Sequence, residues 1–128
     1  MRLLLDTHAL IWWEEGNDKL GAAAKLAIAD EANEVFVSAV SAMEISTKFR
    51  LGKLPSAGRL AQDFEAIIAD QGFEPLSISV RHARLAGSLQ LAHRDPFDRL
   101  LIAQALAEDL PMATNETLFD GFGVTRVW

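Results

Sequence analysis

The sequence predicts an α/β domain built on a parallel sheet that helices cover on both faces. Short apolar runs alternate along the chain with longer segments in which apolar residues recur at helical spacing. The runs are continuous, as from Leu3 to Leu5, whereas a strand with one solvated face would alternate apolar and polar residues. In sheets of this kind ligands bind beyond the carboxyl ends of the strands. We therefore expect a functional site at that edge.

The first half of the chain predicts two strands and four helices. One strand covers residues 3–5 and ends at Asp6, and a second covers residues 35–37. Gly52 and Pro55 supply a left-handed cap and a turn that end the helix after the second strand. In chain order the helices are expected at residues 7–13, 19–31, 38–51 and 57–70.

The second half predicts two more helices and three more strands. Pro75 places the strand at residues 73–76 at an edge of the sheet, and a fifth helix follows from residue 79 to about 91. Asp95, Pro96 and Asp98 supply a capping acid, a proline in the first turn and a second acid there, so the sixth helix begins at residue 97 or one earlier. Short strands at residues 110–113 and 124–128 complete the sheet.

Length and composition indicate one domain spanning residues 1–128. A hydrophobic fraction of 50% excludes a disordered chain, and the absence of cysteine excludes disulfides and thiolate metal sites. The apolar N-terminal run is interrupted at Asp6, too early for a signal peptide or a membrane span, so we expect a cytoplasmic protein. The formal charge of −6 predicts no general attraction for nucleic acid and leaves room only for a local basic patch.

Four acids fall where strands end or helices begin. Asp6 follows the first strand, Glu44 lies near the start of the helix after the second, Asp98 begins its helix, and Glu116 follows the strand at residues 110–113. Asp98 precedes an apolar stripe three, four and seven residues later, so its carboxylate is expected to point inward. These four acids are predicted to share one rim of the sheet.

Each acid also has a local explanation. The spacing of Ser41 and Glu44 fits a capping box, in which the glutamate satisfies a backbone donor. Asp98 and Glu116 would be solvated acids in a first helical turn, and Asp6 a turn residue bonded to its own backbone. Several buried like charges with no evident internal cation nevertheless favour a bound divalent ion, and oxygen ligands suit Mg²⁺ or Mn²⁺.

The ordered motifs resemble those of the PIN-domain ribonucleases, specifically the VapC-type toxins of bacterial toxin–antitoxin pairs. The matching segments are LLLDT at residues 3–7, SAME at 41–44, DPFDRLLIAQA at 95–105, TNE at 114–116, and Phe119 with FGV at 122–124. The resemblance implies a three-layer α/β/α sandwich with a mostly parallel sheet of about five strands. It also implies a Mg²⁺- or Mn²⁺-dependent endoribonuclease, a homodimer, and a cognate VapB-like antitoxin whose C-terminal segment covers the active site.

The same resemblance assigns the catalytic residues. The family's most regular acids fall on Asp6, Glu44 and Asp98, its Ser or Thr on Thr114, and its fourth acid, usually Asp, on Glu116. All four acids are expected to serve one or two metal ions, with Asp6 and Asp98 as direct ligands and Thr114 as their support. The metal activates a water for attack on the RNA phosphodiester.

Other polar residues have weaker assignments. Lys48, one turn after Glu44, is expected to pair with it or to meet a phosphate. The histidines at positions 8, 82 and 93 show no ligand spacing. Trp12 and Trp13 are not expected both to face the core from one short helix, so one of them is expected to be half exposed. The candidates for holding an RNA backbone are Arg50, Lys53, Arg94 and Arg99.

Two alternative functions remain open at this point. A metal-dependent phosphatase or phosphotransfer domain also places acids at strand ends. An aspartyl phosphatase, however, needs a second acid where this chain has His8, and a receiver needs a lysine where it has Thr114 and Asn115. A non-catalytic PIN-like binding domain is the other alternative.

Overall fold

A computed structural model of the chain describes residues 1–90 and 94–128. These residues form five strands and six α-helices, with two α-helices between successive strands from the first to the fourth, and short 3₁₀ turns at Pro55–Ala57 and Thr117–Phe122. The strands are β1 (Arg2–Leu5), β2 (Glu34–Ser38), β3 (Glu74–Leu76), β4 (Met112–Ala113) and β5 (Arg126–Val127). The helices are α1 (Thr7–Glu15), α2 (Ala22–Ala29), α3 (Ala39–Arg50), α4 (Gly58–Asp70), α5 (Val80–Ser88) and α6 (Pro96–Ala107).

The predicted α/β fold with a parallel sheet is confirmed. The strand order is β3-β2-β1-β4-β5, and every paired strand is parallel to its neighbour. The proline-bearing strand β3 lies at one edge, as expected. Leu4 pairs with Phe36 on one side and Met112 on the other, which places β1 at the centre.

Alternate residues of β1 supply two separate cores. Leu3 and Leu5 pack with buried residues of α1, α2 and α4 on one face of the sheet. Leu4 packs against Leu101 and Ile102 of α6 on the other face. Covering both faces explains why the strand is a continuous apolar run.

Several boundaries differ from those predicted. Helix α2 begins at Ala22 rather than residue 19, because the backbone N–H groups of Lys19 and Leu20 bond to Asn17 in a turn. Helix α5 ends at Ser88; its predicted end near residue 91 lies outside the described residues. The last two strands are shorter than expected. No helix in the described ranges is long and apolar enough to cross a membrane.

Candidate active site

The four predicted acids line a single pocket beyond the carboxyl ends of β1 and β4. Its volume is about 110 Å³, and it is bounded by Asp6, Thr7, His8, Glu44, Lys48, Asp95, Asp98, Asn115, Glu116 and Phe119. A larger cavity of about 270 Å³ beside β3 is almost entirely apolar and has only Glu65 as an ionisable lining residue. The smaller pocket, which holds the ionisable side chains, is therefore the candidate site.

Asp6 is one of two buried acids in this pocket, the other being Glu44. Asp6 is 8% exposed, caps α1 by accepting the Ala9 N–H at 2.7 Å, and accepts a hydrogen bond from Thr114. Burial raises the pKa of Asp6 to about 6, and the negative charge of Asp98 adds to the rise. Asp6 thus does bond to its local backbone, as the alternative explanation held, but its carboxylate also lies in the acidic pocket.

Glu44 is held by side chains and does not cap a helix. The N-cap of α3 is Ser38, whose hydroxyl accepts the Val40 N–H, so the capping-box interpretation is wrong. Thr7 donates its hydroxyl proton to Glu44 Oε1 at 2.5 Å, and Lys48 Nζ lies 2.5 Å from Oε2. Glu44 is only 3% exposed, so these two contacts compensate most of its lost hydration.

Lys48 is an internal cation in this pocket. The predicted pairing with Glu44 is confirmed, and it gives the acids an internal cation that was not evident from the sequence. Glu44 raises the pKa of Lys48 against the opposing effect of burial, and the charges of Asp95 and Asp98 act in the same direction as Glu44. The ammonium group also lies 5.9 Å from the centre of the Phe97 ring.

The start of α6 brings two acids to the pocket wall. Asp95 caps the helix, its Oδ1 accepting the Phe97 N–H at 2.9 Å, and Asp98 lies in the first turn. The predicted helix start is confirmed. Only a capping role was predicted for Asp95. Its place three residues before Asp98, at a helix start that points at the rim, was the signal for a place in the pocket.

Thr114 links two of the acids from beneath the pocket. It is fully buried, donates to Asp6, and accepts the Glu116 N–H at 3.0 Å. Glu116 is partly buried, lines the pocket, and lies near Arg126, which pairs with Asp120 at 2.7 Å. Thr114 therefore couples the positions of Asp6 and Glu116.

The donor chemistry of the pocket fits a hard divalent ion. Five carboxylates line it, with Lys48 as the only Lys or Arg among the lining residues. Within residues 1–90 and 94–128, however, no three His, Asp or Glu side chains are arranged to hold an ion together. In this arrangement Lys48 contacts Glu44 Oε2, and the α1 backbone donates to Asp6 Oδ1.

The remaining sequence candidates lie in different settings. Arg99 donates to the carbonyl oxygens of Ala86 and Leu89 at 3.0 and 2.7 Å, so it holds the end of α5. Arg50, Lys53 and Arg94 are exposed and do not line the pocket.

The histidines and tryptophans also have defined positions. His82 is buried in the first turn of α5, His8 is exposed in the first turn of α1, and His93 lies outside the described residues. Trp12 and Trp13 are both partly buried and both pack against the same core, so the expectation that they could not both face it is wrong.

Comparison with known proteins identifies the family. The model of the PIN domain matches residues 3–123, whereas a search of curated proteins found no match. VapC20 of Mycobacterium tuberculosis, described as a Sarcin-Ricin loop cleaving toxin, superimposes with a TM-score of 0.69 at 14% identity, covering 96% of each chain.

Two further structures superimpose over most of their length. VapBC2 from Rickettsia felis, bound to a DNA fragment from its promoter, gives a TM-score of 0.67 at 16% identity over 98% of this chain and 97% of that one. A toxin–antitoxin complex from Klebsiella pneumoniae gives 0.63 at 22% identity over 90% and 87%. The agreement in fold, together with the match over residues 3–123, places this chain in the PIN domain family.

Proposed function

We propose that this protein is a metal-dependent endoribonuclease and the toxin of a toxin–antitoxin pair. The observation that carries the proposal is the convergence of five carboxylates in one pocket at the carboxyl ends of parallel strands, on a PIN fold. The similarity to VapC20, described as cleaving the Sarcin-Ricin loop, supports RNA as the substrate class.

Each acid has a distinct role in this proposal. Asp6 and Asp98 hold a Mg²⁺ or Mn²⁺ ion directly, while Glu44 and Glu116 complete its surroundings and Thr114 fixes Asp6 and Glu116 in place. When bound, the ion supplies Lewis acidity toward the phosphate and activates water. Glu116 is one methylene longer than the usual aspartate, so fixing its side chain costs more entropy. Its interaction with the metal is therefore weaker than an aspartate's would be.

Contacts with the substrate backbone and with partner proteins involve residues outside the pocket. The exposed cations Arg50, Lys53 and Arg94 are candidates for contacting the RNA backbone, since the pocket itself is too acidic to attract phosphate. Among the neighbours, VapBC2 and the Klebsiella complex are toxin–antitoxin assemblies, which supports an antitoxin partner for this chain. We further propose a homodimer that works in the cytoplasm.

The substitution Asp98→Asn tests the function. It keeps the shape of the side chain but removes a charge that the ion needs, so Mn²⁺-dependent cleavage of RNA should fall by more than the roughly 100-fold typical of losing an outer-shell partner. Folding should be retained or improved, because a repulsive charge near Asp6 is removed. Single-turnover cleavage assays and thermal melts measure the two effects.

The matched control is Asp70→Asn, at an exposed acid near the end of α4 that does not line the pocket. Its cleavage rate should equal that of the unaltered chain. Cleavage by Asp98→Asn at the same rate would remove Asp98 from the site. A chain that cleaves no RNA with any metal would be a non-catalytic binding domain.

A further inference from the structure

We propose that Lys48 is a built-in counter-ion that competes with the divalent cation for Glu44 and so sets the metal affinity of the pocket. This inference rests on the proposed metal-dependent function. It assigns to Lys48 the role of lowering the affinity of the pocket for the metal ion.

The first observation is how completely Glu44 is engaged. Lys48 Nζ lies 2.5 Å from Oε2, and the Thr7 hydroxyl lies 2.5 Å from Oε1. A divalent ion approaching Oε2 would meet an ammonium group of like charge at contact distance. Binding through that oxygen therefore requires the lysine to move.

The second observation is that Lys48 is partly exposed at the pocket wall, whereas Thr7 is enclosed. The lysine side chain is 28% exposed at the pocket wall and has a flexible four-carbon stem, whereas Thr7 is 3% exposed and also contacts the Ser41 hydroxyl at 3.0 Å. The charges of Asp95 and Asp98 attract the ammonium group within the same pocket. A displaced Lys48 thus stays close to the acids and can meet a phosphate oxygen of the substrate.

The third observation is the balance of charge. Without an ion, Lys48 is the only Lys or Arg lining a pocket with five carboxylates. Lys48 stabilises the metal-free state. Because an ion that binds Glu44 must displace Lys48, this stabilisation lowers the apparent metal affinity by the same free energy. If Lys48 instead served only to position Glu44 for the ion, removing it would weaken metal binding.

Calorimetric titration of the full chain with Mn²⁺ separates these roles. Lys48→Met keeps an unbranched side chain without the charge and should lower the dissociation constant by about tenfold, because Glu44 becomes available and a repulsive charge is removed. Lys48→Arg should raise the dissociation constant, since a guanidinium binds a carboxylate in a bidentate manner.

The controls isolate the effect of Glu44. Lys53→Met removes the same charge just beyond α3 from a side chain that does not line the pocket, and should change Mn²⁺ affinity far less. With Glu44→Gln already in place, Lys48→Met should raise Mn²⁺ affinity much less than it does in the unaltered chain, because only the repulsive charge is then removed. Should Lys48→Met fail to fold, the opposite shift expected for Lys48→Arg still tests the inference.

The outcomes distinguish this inference from the proposed function. Equal or weaker Mn²⁺ binding by Lys48→Met overturns the competition while leaving metal-dependent cleavage intact. Absence of Mn²⁺ binding in both the unaltered chain and Lys48→Met overturns the competition and the metal-dependent function together.

Discussion

Asp6 combines a helix cap with a place in an acidic pocket, and this makes its ionisation unfavourable. Its pKa is about 6 in the folded chain against an ordinary value of 3.8, chiefly because the carboxyl is buried. Since the folded chain holds this proton more tightly than the unfolded chain, the stabilisation is complete below pH 3.8 and is lost as the pH rises through about 6. The difference corresponds to about 3 kcal/mol at most.

We therefore predict that Asp6→Asn removes a stability change between about pH 4 and pH 7 in the metal-free chain. Asparagine caps helices as well as aspartate does, so the cap on α1 is retained. Urea unfolding at a series of pH values measures the difference between the two chains. Saturating Mn²⁺ should flatten the dependence of the unaltered chain, because an ion replaces the proton. A constant difference between the two chains across this range would contradict the raised pKa.

The sequence predicted individual residues unevenly. Asp98 was placed correctly because the capping acid and proline before it fix the helix start, and the apolar stripe behind it fixes the direction of the side chain. The role of Lys48 was left open because a lysine one turn after a glutamate suits a surface pair as well as a buried one. The contacts of Arg99 with α5 were not predicted, because nothing in the local pattern shows that the end of α5 lies against it.

A buried hydrogen-bond chain joins the two helices that carry Glu44 and Asp98. Ser38 caps α3 and donates its hydroxyl proton to Gln104 of α6 at 2.5 Å. Gln104 in turn lies 3.4 Å from His82 Nδ1, whose other ring nitrogen lies 2.8 Å from Glu108. Because Nδ1 accepts the Ser79 N–H, the proton of the neutral ring is on Nε2 and is donated to Glu108.

Replacing Gln104 with leucine should destabilise the chain by about 1–3 kcal/mol, because the Ser38 hydroxyl loses its acceptor in the core. Urea unfolding gives the free energy. The control Gln62→Leu changes an exposed glutamine on α4 and should stay within about 0.5 kcal/mol. With Ser38→Ala in place, the cost of Gln104→Leu should shrink. Additive costs would show that the two side chains do not interact.

The elements themselves were predicted more reliably than their bounds. The buried strands are recognisable in the sequence because helices cover both faces of the sheet, so each strand is an unbroken apolar run. The start of α2 was missed because Leu20 fits the helical stripe, although it belongs to the preceding turn. Gly21 follows, and a β-carbon there would lie 2.6 Å from Trp128, a long-range contact that local pattern does not contain.

At the scale of the whole molecule, the pocket is built from four separate stretches of chain that the parallel topology brings to one edge. That much was predictable, since the carboxyl ends of parallel strands meet there. The pairing of Lys48 with Glu44 was predicted too, but its position inside the pocket was not, because that depends on side-chain directions set by packing. With five carboxylates lining it, the pocket is a ready receptor for cationic groups other than a metal.

We predict that an antitoxin inhibits this chain by placing a basic or arginine-bearing segment in the acidic pocket. A guanidinium can bind two carboxylate oxygens at once, so it would displace the metal and block RNA together. The purified complex should cleave RNA much more slowly than the free chain and require more Mn²⁺ for half-maximal binding in calorimetry. Replacing the arginines of that segment with glutamine should restore both properties while leaving the rest of the interface in place. A complex that cleaves as fast as the free chain would show that inhibition does not occur through this pocket.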